Sequence, residues 1–132
     1  MSYLLDTNVI SDMIRNPSGR AATKVASLDE GELRTSIIVA AELRYGVAKK
    51  GAQRLAELVD SVLADFEILP WEAPADMSYA TVRDGLSRSG QPIGDMDMLI
   101  AAHALALDAV LVTDNEKEFS RVSGLKIENW LR

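Results

Sequence analysis

The sequence predicts an α/β fold in which a mostly parallel sheet is covered by helices on both faces. Short apolar runs of strand length alternate with longer segments in which apolar residues recur at helical spacing. Parallel strands need a crossover of a dozen or more residues, and the helical segments supply such crossovers. With 132 residues and neither an internal repeat nor a long linker, the chain is predicted to form one domain over 1–132.

Turn residues and apolar spacing set the limits of the predicted elements. The first helix ends at Asn16-Pro17-Ser18-Gly19, Pro70 stops the third strand, and Gly90-Gln91-Pro92 breaks the chain between two helices. Pro74 suits a helix N-terminus. The predicted strands cover 3–5, 33–35, 67–69, 109–113 and 126–127. The predicted helices cover 7–14, 19–28, 37–50 with an interruption at Gly46, a segment from Gly51 to Phe66, 74–89, 95–107 and 116–121.

Composition limits the classes of protein that this chain can represent. A hydrophobic fraction of 48% and a charged fraction of 26% are ordinary for a folded domain. The absence of cysteine excludes disulfides and thiolate metal sites, and it fits a location in a reducing cytoplasm. We expect no signal peptide and no membrane span, because no basic leader and no apolar run of about 20 residues is present.

Charge is unevenly distributed along the chain. The net charge of −6 argues against a protein that coats nucleic acid by bulk attraction, but it allows an enzyme with one acidic site. Residues 43–54 carry only basic charges, and residues 55–82 carry only acidic ones. The basic stretch is either a solvated helix face or a patch that contacts phosphate groups. In the second case, Arg44, Lys49 and Lys50 form a basic rim, and reversing their charge weakens substrate binding.

Four acidic residues occupy positions at which a surface charge is not expected. Asp6 and Asp114 directly follow predicted strands, at the edge where open α/β sheets place their ligand sites. Glu42 shares a helical stripe with Ile38 and Tyr45, which we expect to be half-buried. Asp97 lies in the first turn of the helix predicted over 95–107, where the helix dipole favours a negative charge. The other residues on the same face of this helix are apolar.

Each of these acids also has a purely structural interpretation. Asp6 suits the cap of the following helix, Glu42 an exposed position, and Asp114 a turn. Asp95 and Asp97 both suit an N-cap, and residues two apart on a helix point in different directions. We assign Asp97 to the site and Asp95 to the N-cap or to the rim of the cleft.

A divalent cation explains the four acids together. Several ionised carboxylates placed close to one another repel strongly, and a cation removes the repulsion. Because the candidate ligands are all oxygens, Mg²⁺ or Mn²⁺ is favoured over Zn²⁺. Asp6 and Asp97 are the preferred direct ligands, with Glu42 as a ligand or a water-mediated partner.

Three segments of the chain resemble PIN-domain proteins, and among them VapC-type toxins of bacterial toxin–antitoxin pairs. The segments are LLDTNVISDMI, VAAELRYGVAK and IGDMDMLIAAHALALDAVLVTDNEKEFSRVSGLKIENW, and together the resemblance extends from Tyr3 to Trp130. It implies a PIN-like α/β/α sandwich and a Mg²⁺-dependent endoribonuclease that cuts tRNA or rRNA. It further implies a VapB-type antitoxin as partner, and a homodimer.

By this resemblance, the catalytic positions are Asp6, Glu42, Asp97 and a fourth acid. Many PIN domains carry the fourth acid two residues after the threonine, where this chain has Asn115, whereas Asp114 is one residue after Thr113. Either Asp114 turns inward, or Asn115 serves as a weaker neutral ligand. Thr7, Asn8 and Thr113 match polar positions that orient the acids or the scissile phosphate.

The metal route predicts in-line hydrolysis that leaves 5′-phosphate and 3′-hydroxyl ends. A metal-free route needs a general acid–base pair, often two histidines, and the single histidine, His103, is predicted to be structural. Two alternatives remain open: a catalytically silent PIN-like module that binds a partner, and a phosphoacceptor receiver domain. The receiver domain is the weaker one, because no lysine follows the strand at AVLVT and Glu42 has no role in it.

Overall fold

The computed structural model describes residues 2–132 and places a sheet of short strands between two groups of helices. The elements in chain order are β1 (Tyr3–Leu5), α1 (Thr7–Arg15), α2 (Arg20–Ala26), β2 (Leu33–Ser36), α3 (Ile37–Lys50), α4 (Gln53–Leu63), β3 (Glu67–Leu69), α5 (Ala75–Arg88), α6 (Asp95–Ala106), β4 (Val110–Val112), α7 (Glu116–Phe119) and β5 (Ile127–Glu128). One 3₁₀ turn, Glu30–Glu32, precedes β2. Among the described residues, no helix combines the length and the apolar character needed to cross a membrane.

The five-stranded sheet has the order β3-β2-β1-β4-β5, and its neighbouring strands are all parallel. Leu5, the last residue of β1, pairs with Thr35 on one side and with Val112 on the other. The predicted fold class is therefore confirmed. The central strands are short apolar runs because both of their faces are covered.

Strand order determines where a ligand site can form. The chain moves from β1 to β2 and β3 on one side, and then crosses over to β4 on the other side of β1. Since such crossovers are right-handed, the helices α1–α4 and α5–α7 cover opposite faces. The direction of the crossovers reverses between β1 and β4, which opens a crevice beyond the carboxyl ends of these two strands.

The core occupies both sides of the central strands. Its largest fully buried apolar side chains come from β1, α1, α3, α6, β4 and α7, and include Leu4, Leu5, Ile10, Val39, Ile100, Leu111 and Phe119. Burial of a side chain of this size stabilises the fold by about 1.5–3 kcal/mol. The ends of β1 and β4 are thus held in place by packing on both faces.

The observed helices differ from the predicted ones near two glycines and a proline. Gly46 does not interrupt α3, which is continuous from Ile37 to Lys50. Gly51 ends α3 with a φ of 64°, a left-handed conformation that glycine adopts without strain, so α4 begins only at Gln53. Pro74 is the N-cap of α5 and not its first residue.

Candidate active site

Asp6 lies immediately after β1, in the crevice between β1 and β4. Its side chain is 3% exposed, and its backbone N–H continues the sheet by donating to the carbonyl of Val112 at 2.9 Å. Oδ1 accepts a hydrogen bond from the backbone N–H of Thr7 at 2.8 Å, so Asp6 is also the N-cap of α1. The capping and site interpretations of Asp6 are therefore compatible.

Thr113, at the end of β4, fixes the other oxygen of Asp6. Its hydroxyl donates to Oδ2 of Asp6 at 2.7 Å and accepts from the N–H of Asn115 at 2.9 Å. The Asn8 side chain donates weakly to the same oxygen at 3.4 Å, and its Oδ1 accepts from the N–H of Asp114 at 3.0 Å. These bonds connect β1 to β4 across the crevice and orient the buried carboxylate.

Glu42 reaches the same crevice from the middle of α3. Its Oε1 accepts a hydrogen bond from the hydroxyl of Thr7 at 2.7 Å, so the residue after Asp6 holds the second acid. The neighbouring Tyr45 is 68% exposed, which corrects the expectation that it is half-buried. Spacing along a helix identifies residues on one stripe, but it does not establish how far around the helix the solvent begins.

Asp97 enters the crevice from the first turn of α6. Gly94 is the N-cap of this helix, so the N-cap alternative for Asp95 is wrong, and Asp95 lies exposed in the first turn. Asp97 is partly buried, and its Oδ2 is 3.5 Å from the side-chain amide nitrogen of Asn115.

Among the described residues, the acids of the crevice have no ion-pair partner. Burial raises the pKa of Asp97 to about 6, and the negative charges of Asp6, Glu42 and Glu118 add to this increase. Burial also raises the pKa of Asp6, although the hydrogen bonds from Thr113 and Thr7 oppose the increase. Among residues 2–132, the basic side chains that form ion pairs do so with acids other than Asp6, Glu42 and Asp97. The site therefore carries excess negative charge that a cation would offset.

Asp114 points away from this group of acids. Its carboxylate accepts from the side chain of Asn129 at 3.0 Å and lies 3.8 Å from Nε of Arg132. Asn115 is directed toward Asp97 instead. The structure thus brings together Asp6, Glu42, Asp97 and Asn115, and it leaves the Asp114 side chain outside.

Glu118 is an acid near the site that the sequence analysis did not single out. It lies in α7, three residues after Asn115, and its charge acts on Asp97. The segment EKEF reads as an ordinary charged helix start, and only the position of this segment directly after β4 indicates that one of its acids can face the crevice.

The basic rim predicted from sequence is only partly free to contact phosphate. Nη1 of Arg44 forms an ion pair with Oδ1 of Asp60 at 2.7 Å. Lys50 and Arg15 instead line a groove of about 310 Å³ that runs between α1, α3 and α4 and includes Thr7 and Glu42. The groove connects two cations to the acidic crevice, although its wall is largely apolar.

The donor set fits a hard divalent cation. Every acidic or amide side chain that meets in the crevice offers oxygen, which Mg²⁺ and Mn²⁺ prefer. Within residues 2–132, no three acidic or histidine side chains are arranged to hold a metal ion by themselves. Mg²⁺ commonly binds one or two carboxylates and keeps several waters, so this arrangement still suits it.

His103 is buried outside the crevice, as predicted for a structural histidine. It is 2% exposed, and its Nδ1 lies 2.8 Å from Oγ of Ser36. Burial lowers the pKa of the imidazole, so the ring is neutral near pH 7. It has no access to a substrate in the crevice.

The chain is similar to known proteins over nearly its whole length. Residues 3–125 match the family model "PIN domain". The chain is 38% identical to "Ribonuclease VapC2" of Rickettsia felis over 98% of both chains. It is 30% identical to "tRNA(fMet)-specific endonuclease VapC" of Shigella flexneri, again over 98% of both.

Solved structures show the same fold. VapBC2 of Rickettsia felis, bound to a DNA fragment from its promoter, matches with a TM-score of 0.92 at 37% identity, over 98% of this chain and 99% of that one. DNA-bound VapBC of Salmonella typhimurium matches with a TM-score of 0.90 at 31% identity, over 98% of both. The family match excludes the receiver-domain alternative. The chain belongs to the PIN-domain family, and within it to the group of the VapC ribonucleases.

Proposed function

We propose that this protein is a Mg²⁺-dependent endoribonuclease and the toxin of a type II toxin–antitoxin pair. The observation that carries the proposal is the meeting of Asp6, Glu42 and Asp97 in one crevice without a positive partner among the described residues. The relatives from Rickettsia felis and Shigella flexneri are named ribonuclease and tRNA(fMet)-specific endonuclease. They support RNA as the substrate, with tRNA or rRNA as its class.

Asp6 and Asp97 would hold Mg²⁺, or Mn²⁺ in its place. When bound, the ion supplies an activated water and stabilises the negative charge that develops on the phosphate. Asp6 remains available as a ligand, because each carboxylate oxygen accepts more than one interaction and its present bonds orient it. Asn115 orients Asp97, and the Asp114 carboxylate takes no direct part because it is engaged with Asn129.

Glu42 would orient the attacking water. The hydroxyl of Thr7 fixes Oε1, which leaves the other oxygen of Glu42 to accept a proton from water. In-line attack at phosphorus then expels the 3′-oxygen and leaves a 5′-phosphate. His103 takes no part in proton transfer, because it is buried and already hydrogen-bonded.

The protein partner would be a VapB-type antitoxin, which blocks the site. The structural relatives from Rickettsia felis and Salmonella typhimurium are VapBC complexes, and this supports the assignment. Among the described residues, a partner could cover exposed large apolar side chains, which are Ile37, Tyr45, Leu58, Met77 and Met96. We propose that part of this surface mediates a homodimer, and that the protein acts in the cytoplasm, where its RNA substrates are found.

Cleavage of total bacterial RNA by the purified, antitoxin-free protein tests the function. Mg²⁺ or Mn²⁺ should support cleavage that leaves 5′-phosphates, and EDTA should abolish it. Asp97→Asn should be inactive, whereas Asp95→Asn makes the same chemical change at an exposed position of the same helical turn and should retain activity. Intact RNA under all conditions, with both tRNA and rRNA present, would favour the catalytically silent partner-binding module.

A further inference from the structure

A buried polar contact joins the two helices that carry Glu42 and Asp97. Ser36, at the N-terminus of α3, is fully buried, and its hydroxyl lies 2.8 Å from Nδ1 of His103 near the end of α6. The backbone of Pro70, directly after β3, also acts on the His103 ring as a hydrogen-bond acceptor. One imidazole thus connects three elements.

The direction of each hydrogen bond follows from the chemistry of the groups. The carbonyl of Pro70 only accepts, so the ring nitrogen that meets it carries a hydrogen. The neutral ring has one hydrogen, which leaves Nδ1 as an acceptor for the Ser36 hydroxyl. The same hydroxyl oxygen accepts from the N–H of Ile38 at 3.1 Å and caps α3. Every polar atom in this buried network has a partner of the correct type.

The same number of residues separates the Ser36–His103 contact from each of the two acids. Glu42 follows Ser36 by six residues along α3, and Asp97 precedes His103 by six residues along α6. Six residues span about 9 Å of helix. Because α3 and α6 contact each other, the polar contact fixes how the start of α3 lies against α6, and with it the positions from which Glu42 and Asp97 extend.

The acids themselves oppose this alignment. Asp97 and Glu42 repel each other, so without a cation their charges favour a wider crevice. Apolar packing is not directional and allows small shifts between helices, whereas a hydrogen bond constrains both distance and angle. A second such bond, from Nε1 of Trp71 to the carbonyl of Leu99 at 2.9 Å, attaches the segment after β3 to α6.

We propose that His103 is a positioning residue, which holds Glu42 and Asp97 at the separation that a divalent cation requires through its bonds to Ser36 and Pro70. The proposal rests on the proposed metal-dependent function, and it gives the single histidine a role in that function without contact with substrate. Its removal should weaken metal binding more than it weakens RNA binding.

Three variants and a stability control test this role. Ser36→Ala removes the hydroxyl, His103→Leu replaces the ring by an apolar side chain, and the double variant removes both partners. Leu86→Ala truncates a buried side chain of α5 that takes no part in the polar contact, so it lowers stability only. Thermal unfolding ranks the stability of all four, and water-proton relaxation during Mn²⁺ titration gives the affinity for the metal.

The two single variants should raise the Mn²⁺ dissociation constant about tenfold, within the range found when groups that orient ligands are lost. The double variant should be no worse than the poorer single variant, because both disrupt one contact. At saturating Mn²⁺, the KM for RNA should stay within about twofold of the wild-type value. If His103→Leu does not fold, the Mn²⁺ affinity of Ser36→Ala alone tests the proposal.

A Mn²⁺ affinity of the variants within about twofold of that of Leu86→Ala would overturn the proposal. The contact would then contribute only to the stability of the core and not to metal binding. The proposed nuclease function fails separately if the wild-type chain binds Mn²⁺ but cleaves no RNA, and the Mn²⁺ affinities then still decide the role of His103. A wild-type chain that binds no Mn²⁺ would overturn both.

Discussion

Two threonine hydroxyls orient two acids of the site: Asp6, directly after β1, and Glu42, in the middle of α3. Thr7 donates to Glu42, and Thr113 donates to Asp6. A hydroxyl costs less to bury than a charge, and its hydrogen bond still leaves the carboxylate oxygens able to bind a cation. At the scale of single residues, the site is thus built from carboxylates and from neutral donors that fix their direction.

Thr113→Val should weaken metal binding while nearly preserving the shape of the side chain. The substitution removes the donor to Oδ2 of Asp6 and the acceptor of the Asn115 N–H. We expect Mn²⁺ affinity to fall about tenfold, as is typical when a bond that orients a ligand is lost. Titration of Mn²⁺ by water-proton relaxation measures the change, and Thr113→Ser, which keeps the hydroxyl, is the matched control. Equal affinities of the valine and serine variants would contradict the argument.

Asp97 should make the stability of the metal-free protein depend on pH. Its pKa is about 6 in the folded chain and 3.8 in the unfolded chain, so the folded state binds the proton more tightly. Stability is therefore lost as pH rises from about 4 through 6, and the loss is complete above 6. Discounted for the partial exposure of Asp97, the loss is about 1 kcal/mol, or about 3–5 °C in Tm.

Thermal unfolding in EDTA tests this effect. Asp97→Asn should raise Tm relative to the wild type at pH 7.5, and the gain should shrink as the pH falls and disappear below about pH 4. Asp95→Asn, whose side chain is exposed, provides the control for removal of a charge in the same turn. A gain for Asp97→Asn that is equal at both pH values would show that the raised pKa is not its cause.

At the scale of elements, the turn between β4 and α7 determines which side chain completes the site. Two successive residues after Thr113 point in different directions, so that Asn115 meets Asp97 and Asp114 meets Asn129. Sequence alone left this choice open, because the dihedral angles of a short turn depend on where the next element packs. Glu118 escaped prediction for the same reason.

Asp114→Asn should therefore keep the rate of RNA cleavage within about twofold, whereas Asn115→Ala should lower it about tenfold by releasing Asp97. Cleavage rates at fixed Mg²⁺ compare the two variants directly. If Asp114→Asn proves the more damaging, the turn adopts a different conformation in the complex with metal and RNA.

At the scale of the whole molecule, the sequence predicted the parallel sheet and the position of the acids at the ends of its strands. Apolar runs and helical spacing sufficed for a parallel sheet with acids at the carboxyl ends of its strands, and the observed order β3-β2-β1-β4-β5 brings the ends of β1 and β4 together. Contacts between residues that are distant in the sequence could not be predicted from it. The ion pair of Arg44 with Asp60 and the bond between His103 and Ser36 depend on packing between helices that no local pattern records.

The charge distribution sets how an RNA can approach a chain whose net charge is −6. The protein as a whole does not attract RNA, so basic side chains near the site must contact its phosphates. Arg15 and Lys50 line the groove that leads to Glu42. Arg15→Glu combined with Lys50→Glu should weaken RNA binding. Each contact with a single-stranded phosphate contributes about 0.7 to the slope of log affinity against log salt, so the slope should fall by about one to two.

Filter binding of RNA over a series of KCl concentrations, with the inactive Asp97→Asn background to prevent cleavage, measures both affinity and slope. Lys126→Glu reverses a charge at the opposite end of the sheet, where Lys126 pairs with Asp108 before β4, and it should leave the slope unchanged. If the control lowers the slope as much as the double variant does, the RNA responds to net charge alone. A lower slope for the variant with Arg15→Glu and Lys50→Glu, but not for Lys126→Glu, would establish that the substrate follows the groove between α1, α3 and α4 into the acidic crevice.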